Sequence, residues 1–150
     1  MPERKHDSHS KSIRVLVIED DPLYACIVGE MLKEGNPSTN FEVELTYLLA
    51  TGLEKLQTAD FDIVLLDMVL PDSAADIGAL TQIQQIAPHV PIVMMTSLHD
   101  ENLAMQGLQA GAQDYLVKGQ FRMQGLMRAI RYASERQRLR LALEASHKQE

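Results

Sequence analysis

The chain has 150 residues, 45% of them apolar and 23% charged, which is ordinary for a globular protein and enough for one domain with a buried core. Its formal net charge of −7 argues against a general nucleic-acid-binding protein, because such proteins are normally basic. Cys26 is the single cysteine, so an intrachain disulfide and a cysteine-based zinc site are excluded, and we expect a location in the reducing cytoplasm.

The two ends of the chain differ from its body. Residues 1–12 are polar and lack the apolar centre of a signal peptide, so we predict a disordered leader there. No apolar run approaches the roughly 18 residues that a membrane span requires, and we expect no membrane contact. Residues 1–118 carry 7 basic and 18 acidic side chains, whereas residues 119–150 carry 7 basic and 3 acidic ones.

Five short apolar segments predict β-strands. Residues 41–46 alternate apolar and polar side chains, as a half-exposed edge strand does. The other segments are more continuously apolar, which suits a parallel sheet that is covered on both faces. In chain order the predicted strands are 13–18, 41–46, 62–67, 91–96 and 112–117.

Apolar residues at helical spacing fill the stretches between the strands. Pro22 stands where a first helical residue tolerates proline, Asp100 is the expected N-cap of the fourth helix, and Gly111 is its expected stop. The fifth helix is predicted from near Phe121 to 147. The stripes of the first four helices contain Leu23, Ile27, Val28, Met31 and Leu32, then Leu49, Leu53 and Leu56, then Ile77, Leu80 and Ile83, and then Leu103 and Leu108.

Alternating strands and helices with short connections predict right-handed βαβ units and a doubly wound parallel sheet. Ligands bind such sheets outside the carboxyl ends of the strands. Carboxylates crowded there call for a cation, and Mg²⁺ takes one or two carboxylates together with a phosphate oxygen. A carboxylate beside Mg²⁺, a hydroxyl and an ammonium is suited to phosphoryl transfer. The polar residues that follow the strands are Glu19, Asp20, Asp21, Asp67, Thr96, Ser97 and Lys118.

Four segments together resemble the receiver domains of response regulators in bacterial two-component signalling. They are VLVIEDDP at 15–22, DIVLLDMVLPD at 62–72, PIVMMTS at 91–97 and GAQDYLVK at 111–118. The resemblance covers about residues 13–134. It implies an α/β, flavodoxin-like (βα)5 fold with a doubly wound five-stranded parallel sheet, to which this chain adds an extended C-terminal helix.

The resemblance also implies a role for each matching residue. Asp67 is the expected phosphoacceptor, and Mg²⁺ is the expected cofactor. The expected Mg²⁺ ligands are Glu19, Asp20, Asp67 and the backbone carbonyl of Val69. Thr96 and Lys118 are expected to contact the phosphoryl group, and Tyr115 is the expected aromatic switch that follows Thr96. Such a protein is a regulatory domain and not an enzyme, apart from its own phosphorylation and dephosphorylation.

Two departures from the family pattern concern loops. Family members usually have proline after the lysine, often in a cis bond, whereas Gly119 follows Lys118 here, which leaves the loop conformation open. The turn at 73–78 has about one extra residue, so the third helix is expected to start differently.

Two other functions stay open alongside the switch. One is a receiver-like module that binds partners without phosphorylation. The other is a phosphohydrolase with an aspartate nucleophile, which is disfavoured because Val69 stands where that class has its general acid.

The expected partners are a sensor histidine kinase or a phosphotransfer protein. We predict the domain at 13–134 and a connecting or dimerising extension of the last helix at 135–150. Its exposed stripe would include Leu139 and Leu143, and it could join a second copy or an output domain in a longer chain. Arginines spread around this helix most often solvate it, so we do not expect nucleic acid as a partner.

Overall fold

A computed structural model describes residues 11–74 and 76–148. Strands and helices alternate strictly along the chain. The strands are β1 (Lys11–Ile18), β2 (Thr39–Thr46), β3 (Ile63–Asp67), β4 (Ile92–Thr96) and β5 (Asp114–Val117). The helices are α1 (Pro22–Gly35), α2 (Leu49–Thr58), α3 (Gly78–Ile86), α4 (Glu101–Gln109) and α5 (Met123–Lys148).

The strands form one parallel sheet in the order β2-β1-β3-β4-β5. The order reverses direction between β1 and β3, which is the topology of a doubly wound sheet. The predicted fold is therefore confirmed, including the place of β2 at the sheet edge. At this switch point the ends of β1 and β3 lie side by side, since Ile18 pairs with Leu66.

Alternate residues of the central strands point to two separate hydrophobic clusters. In β3, Val64 and Leu66 contribute to the cluster under α2, α3 and α4, whereas Ile63 and Leu65 contribute to the cluster under α1 and α5. All side chains of β3 and β4 are buried, because helices cover both faces. This explains why these strands read as continuous apolar runs.

The predicted strand ends shift by two residues or fewer. β1 and β2 each begin two residues earlier than predicted, at Lys11 and Thr39, because these additional residues pair with each other. β5 begins later, at Asp114. Positions 1–10 of the predicted disordered leader lie outside the described residues. The prediction is wrong for Lys11 and Ser12, because both pair with β2 as the first residues of β1.

The predicted stripe of α1 is wrong at two positions. Leu23 is 70% exposed and Ile27 is 46% exposed, whereas Ala25 and Gly29 are buried with the predicted Val28 and Leu32. The helix packs close to β2, which small residues permit. The side of α1 that faces the sheet is therefore the side whose small residues let the helix pack close to β2, and not the side with the largest apolar side chains.

The ends of α1 and α4 follow the sequence signals with one difference. Pro22 is the first residue of α1, as predicted. Asp100 occupies the N-cap position of α4, but its carboxylate accepts a hydrogen bond from Ser97 Oγ and none from a helix N–H. Gly111 follows α4 with a φ of +118°, which suits a glycine after a helix.

α5 has 26 residues and, at about 1.5 Å per residue, spans roughly 40 Å. Its buried stripe of Leu126, Ile130 and Ala133 packs under the sheet. Packing continues past the predicted boundary at 134, because the buried Gln137 donates from Nε2 to the His89 carbonyl at 2.6 Å. None of the helices within the described residues is long and apolar enough to cross a membrane.

Candidate functional site

The carboxyl edge of the sheet brings four predicted site residues together. Glu19 follows β1, Asp67 ends β3 and Lys118 follows β5. Carboxylate oxygens of Glu19, Asp20 and Asp67 all lie within 4.8 Å of one another. Glu19 and Asp67 are buried, and Asp20 is exposed at the mouth of the cluster. We call these four residues the acid–lysine cluster.

Lys118 joins the two buried carboxylates of the cluster. Its Nζ lies 2.6 Å from Glu19 Oε1 and 3.1 Å from Asp67 Oδ2. Burial by itself would lower the pKa of Lys118, but the adjacent Glu19 and Asp67 carboxylates outweigh it and raise the pKa above its ordinary value. The lysine therefore stays charged between the acids at neutral pH.

Asp67 is the carboxyl group of the cluster whose pKa is raised. Burial raises its pKa to about 7, and contact with Asp20 and the charge of Glu19 raise it as well. A hydrogen bond from the Val69 N–H at 3.0 Å and the Lys118 ammonium act in the opposite direction but do not compensate. The same contact with Asp67 lowers the pKa of Asp20.

The cluster fits a divalent cation. Three carboxylates carry three negative charges when ionised, and the single ammonium neutralises one of them. Burial and the neighbouring Asp20 and Glu19 carboxylates raise the pKa of Asp67, and a further cation would favour its ionised form. All the ligand atoms are carboxylate oxygens, which hard ions such as Mg²⁺ prefer.

Thr96 and Tyr115 lie on neighbouring strands next to the cluster. Thr96 ends β4 and is buried, and its carbonyl accepts from the Lys118 N–H at 2.7 Å. The register places Asp67 opposite Met95, so Thr96 lies one residue further towards the carboxyl edge. Tyr115 lies further inside the sheet, opposite Met94, and packs half-buried against the cluster of α2, α3 and α4. Val69 is exposed, two residues after Asp67.

The loop after β5 takes a conformation that the sequence left open. The described residues contain no cis peptide bond, and Gly119 has a φ of +79°. The Gly119 N–H donates to the hydroxyl of Tyr24 at 3.1 Å. Burial raises the pKa of Tyr24, so the hydroxyl stays neutral at physiological pH. Sequence reasoning missed Tyr24, because nothing in the pattern of α1 distinguishes it from a residue that only packs.

Two further carboxylates organise the loops around the cluster. Asp21 Oδ1 accepts from the N–H groups of Leu23 and Tyr24 and thereby caps α1. Asp72 accepts from the N–H groups of Leu49 and Ala50 and thereby caps α2 from the loop after β3. The cap by Asp72 could not be read from the sequence, since 22 and 23 residues separate it from its partners.

The arrangement is suited to accepting a phosphoryl group. A buried carboxylate that is hard to ionise gains stability when its charge is shared with an electrophile or a cation. Charge neutralisation and positioning are the main requirements of phosphoryl transfer, and the Lys118 ammonium already contacts the oxygen of Asp67.

Comparison with known proteins identifies the family. A family model described as the response regulator receiver domain matches residues 15–131, and the chain therefore belongs to this family of two-component signalling domains. The chain is 33% identical over 107 residues to the probable transcriptional regulatory protein SilR of Salmonella typhimurium. That match covers 71% of this chain and 44% of SilR, so the chain spans less than half the length of this relative.

Solved structures of receiver domains share the fold. A receiver domain protein from Clostridium thermocellum is 26% identical with a TM-score of 0.74, covering 85% of this chain and 98% of that one. The receiver domain of the sensor histidine kinase PA1611 from Pseudomonas aeruginosa PAO1 is 24% identical with a TM-score of 0.70, covering 83% and 98%. The latter structure has a magnesium ion coordinated in its active-site cleft.

Proposed function

We propose that this receiver domain is a phosphorylation-dependent switch in which Asp67 accepts a phosphoryl group from a phosphohistidine. The observation that carries the proposal is the acid–lysine cluster. It holds a buried aspartate with a pKa raised to about 7 within 3.1 Å of a lysine ammonium. The family of the chain supports the same function.

The proposed transfer is a direct displacement at phosphorus. An oxygen of ionised Asp67 attacks the phosphorus atom, an O–P bond forms, and the P–N bond to the imidazole of the partner breaks. The imidazole leaves with the electron pair of that bond. Lys118 stays next to the attacking carboxylate and balances charge on the phosphoryl oxygens. The chain does no other chemistry in this proposal than its own phosphorylation and dephosphorylation.

Mg²⁺ is the cofactor we propose, with Glu19, Asp20, Asp67 and the carbonyl of Val69 as the residues that would hold it. When bound, the ion neutralises charge on the carboxylates and on the phosphoryl group. The exposed Asp20 and the buried Glu19 each place a carboxylate oxygen within 4.8 Å of one from Asp67, which supports this set of ligands.

The response to phosphorylation would pass from Thr96 to Tyr115. The Thr96 hydroxyl is proposed to bind a phosphoryl oxygen, because Thr96 ends the strand next to that of Asp67. Tyr115 lies on the adjacent strand and is half-buried, and its ring is proposed to change position when Thr96 does. The switch would then be a local charge event that selects between two surfaces.

Intact-mass measurement tests the proposal directly. The chain is incubated with acetyl phosphate and Mg²⁺, and separately with phosphorylated histidine kinases. We expect the gain of one phosphoryl group, which is lost on chelation of Mg²⁺ and in Asp67→Asn. Asp60→Asn is the matched control, because Asp60 is exposed and lies outside the cluster. No gain from any donor would refute the switch and favour a module that binds partners without phosphorylation.

Exposed apolar side chains surround the cluster and are proposed to contact the phosphodonor protein. Leu23 is 70% exposed, Leu98 60% and Val69 47%. Each follows a site residue by two or three positions. Leu23 lies in the first turn of α1, and Leu98 and Val69 lie in the loops after β4 and β3. Such a rim suits a sensor histidine kinase or phosphotransfer protein that must exclude water around the reacting atoms.

The single cysteine fits a location in the reducing cytoplasm.

The end of α5 is proposed to connect the domain to a second copy or to an output domain. Beyond Gln137 the helix exposes Leu139 at 55% and Leu143 at 60%, four residues apart on one face. We expect Leu139→Lys/Leu143→Lys to leave the monomer folded and to weaken self-association in sedimentation equilibrium. An unchanged association state in a chain that does dimerise would refute the proposed interface.

A further inference from the structure

The residue after the site lysine adopts a backbone conformation that favours glycine. Gly119 has a φ of +79°, and a Cβ built there would meet nothing within 4 Å. Space is therefore not the reason for glycine at this position. The left-handed conformation is the reason, because a residue with a side chain pays a conformational cost there.

That conformation directs the Gly119 N–H to the Tyr24 hydroxyl, which accepts it at 3.1 Å. Among the described residues, two other hydrogen bonds hold this turn, and both are between backbone groups. The Lys118 N–H donates to the Thr96 carbonyl at 2.7 Å, and the Gln120 N–H donates to the Val117 carbonyl at 3.0 Å. The tyrosine is thus the one side chain in this set that anchors the peptide directly after Lys118.

Tyr24 is itself held in place. Its N–H donates to Asp21 at 3.4 Å in the first turn of α1, and its ring packs edge-to-face on Phe121 with 6.5 Å between centroids. The same ring centroid lies 5.4 Å from Lys118 Nζ, within the range of a cation–π contact. One side chain therefore contacts Lys118 at both ends: the peptide bond that follows it and its ammonium group.

We propose that Tyr24 is a positioning residue for Lys118, which fixes the Lys118–Gly119 peptide through its hydroxyl and the ammonium through its ring. This inference rests on the proposed phosphoacceptor function. The ammonium must lie between Glu19 and Asp67 to balance charge during transfer. A lysine side chain with four rotatable bonds occupies that point for a larger share of the time when its backbone is fixed.

The test compares Tyr24→Phe with wild type in phosphorylation by acetyl phosphate at saturating Mg²⁺. The variant keeps the ring and loses only the hydroxyl. We expect the maximal rate to fall about fivefold, the effect of one net hydrogen bond, with an unchanged KM for the donor and unchanged Mg²⁺ affinity. Tyr24→Leu also removes the ring and should be slower still. Tyr132→Phe, on the exposed face of α5, is the matched control and should match wild type.

Gly119→Ala tests whether Tyr24 acts on the phosphorylation rate through its hydrogen bond with the Gly119 N–H. Alanine keeps the N–H but disfavours the observed φ, so it should slow phosphorylation as Tyr24→Phe does. Because both substitutions break the same contact, the double variant should be no slower than the slower single variant. Multiplied rate losses in the double variant, or a wild-type rate in Tyr24→Phe, would overturn the proposal.

A second readout separates this inference from the proposed function. Amide hydrogen exchange of Gly119 should be about fivefold faster in Tyr24→Phe than in wild type, again the effect of one net hydrogen bond. If wild type accepts no phosphoryl group, the proposed function fails, and the exchange rate still decides whether Tyr24 holds the loop. An exchange rate unchanged by the substitution would overturn the positioning role in either case.

Discussion

Asp67→Asn should stabilise the metal-free domain at neutral pH although it removes the proposed phosphoacceptor. Burial raises the pKa of Asp67 from 3.8 to about 7. Between these two pH values the folded domain keeps a proton that the unfolded chain has released. The free energy of unfolding therefore falls as the pH rises through this window, and the penalty is complete above pH 7.

The size of the effect follows from the same shift. A rise of roughly 3 pKa units corresponds to about 4 kcal/mol, which is the upper limit of the penalty. The contact between Asp20 and Asp67 also lowers the pKa of Asp20, and this offsets part of the penalty in the free energy of unfolding. Asparagine is neutral and keeps the oxygen that accepts from the Val69 N–H. We therefore expect a gain of about 2 kcal/mol at pH 8, after allowing for the lost contact with Lys118.

Urea unfolding in the presence of EDTA measures this gain. With a slope of about 2 kcal/mol/M, the midpoint of Asp67→Asn should lie about 1 M above that of wild type at pH 8. The difference should shrink towards pH 5 and vanish below about pH 4, because the side chain at position 67 is then uncharged in both folded proteins and Asp67 becomes protonated in the unfolded chain as well. Asp60→Asn, an exposed carboxylate, should show no such pH-dependent gain.

Addition of Mg²⁺ should reverse the order of stability. A ligand that binds only the folded state adds about 2.7 kcal/mol at a hundredfold excess over its Kd, and the variant lacks one of the carboxylates that would hold it. A variant that is no more stable than wild type at pH 8 in EDTA would refute the electrostatic reasoning. So would a gain that increases as the pH falls.

Two further predictions concern the scaffold of the site. Gly52→Ala should destabilise by about 1–3 kcal/mol in urea unfolding, because its Cβ would lie 2.5 Å from Cδ1 of the buried Ile18. Gly29→Ala is the control, since its Cβ would meet only ordinary contacts at 3.6 Å or more. Asp72→Ala should cost about 1 kcal/mol as the α2 cap is lost. Hydrogen bonds from α2 outweigh desolvation and lower the pKa of Asp72, so this difference should shrink in acid; a constant difference from pH 7 to pH 3 would contradict the charge argument.

The sequence by itself determined the architecture and most of the acid–lysine cluster. Strands that are apolar throughout suit burial between two layers of helices, and strict alternation with short connections predicts a doubly wound parallel sheet. The flavodoxin-like strand order was implied by the resemblance to receiver domains. That topology places the ends of β1, β3 and β5 on one edge. The sequence therefore predicted that Glu19, Asp67 and Lys118 lie close together, although they are up to 99 positions apart in the chain.

The tertiary structure decided the features that depend on how closely elements approach. The sequence favoured Leu23 and Ile27 as core residues of α1, but the helix buries Ala25 and Gly29, because small side chains let it lie close to β2. Burial within the packed site also raises the pKa of Asp67, which no spacing of residues reveals.

Contacts between distant loops show the same limit. The residue types Tyr24 and Gly119 are visible in the sequence, but a hydrogen bond across 95 positions exists only because two loops meet above the same sheet edge. Periodicity records which face of an element is apolar. It does not record the distances between elements, and those distances fix which polar groups find a partner and how strongly buried charges interact.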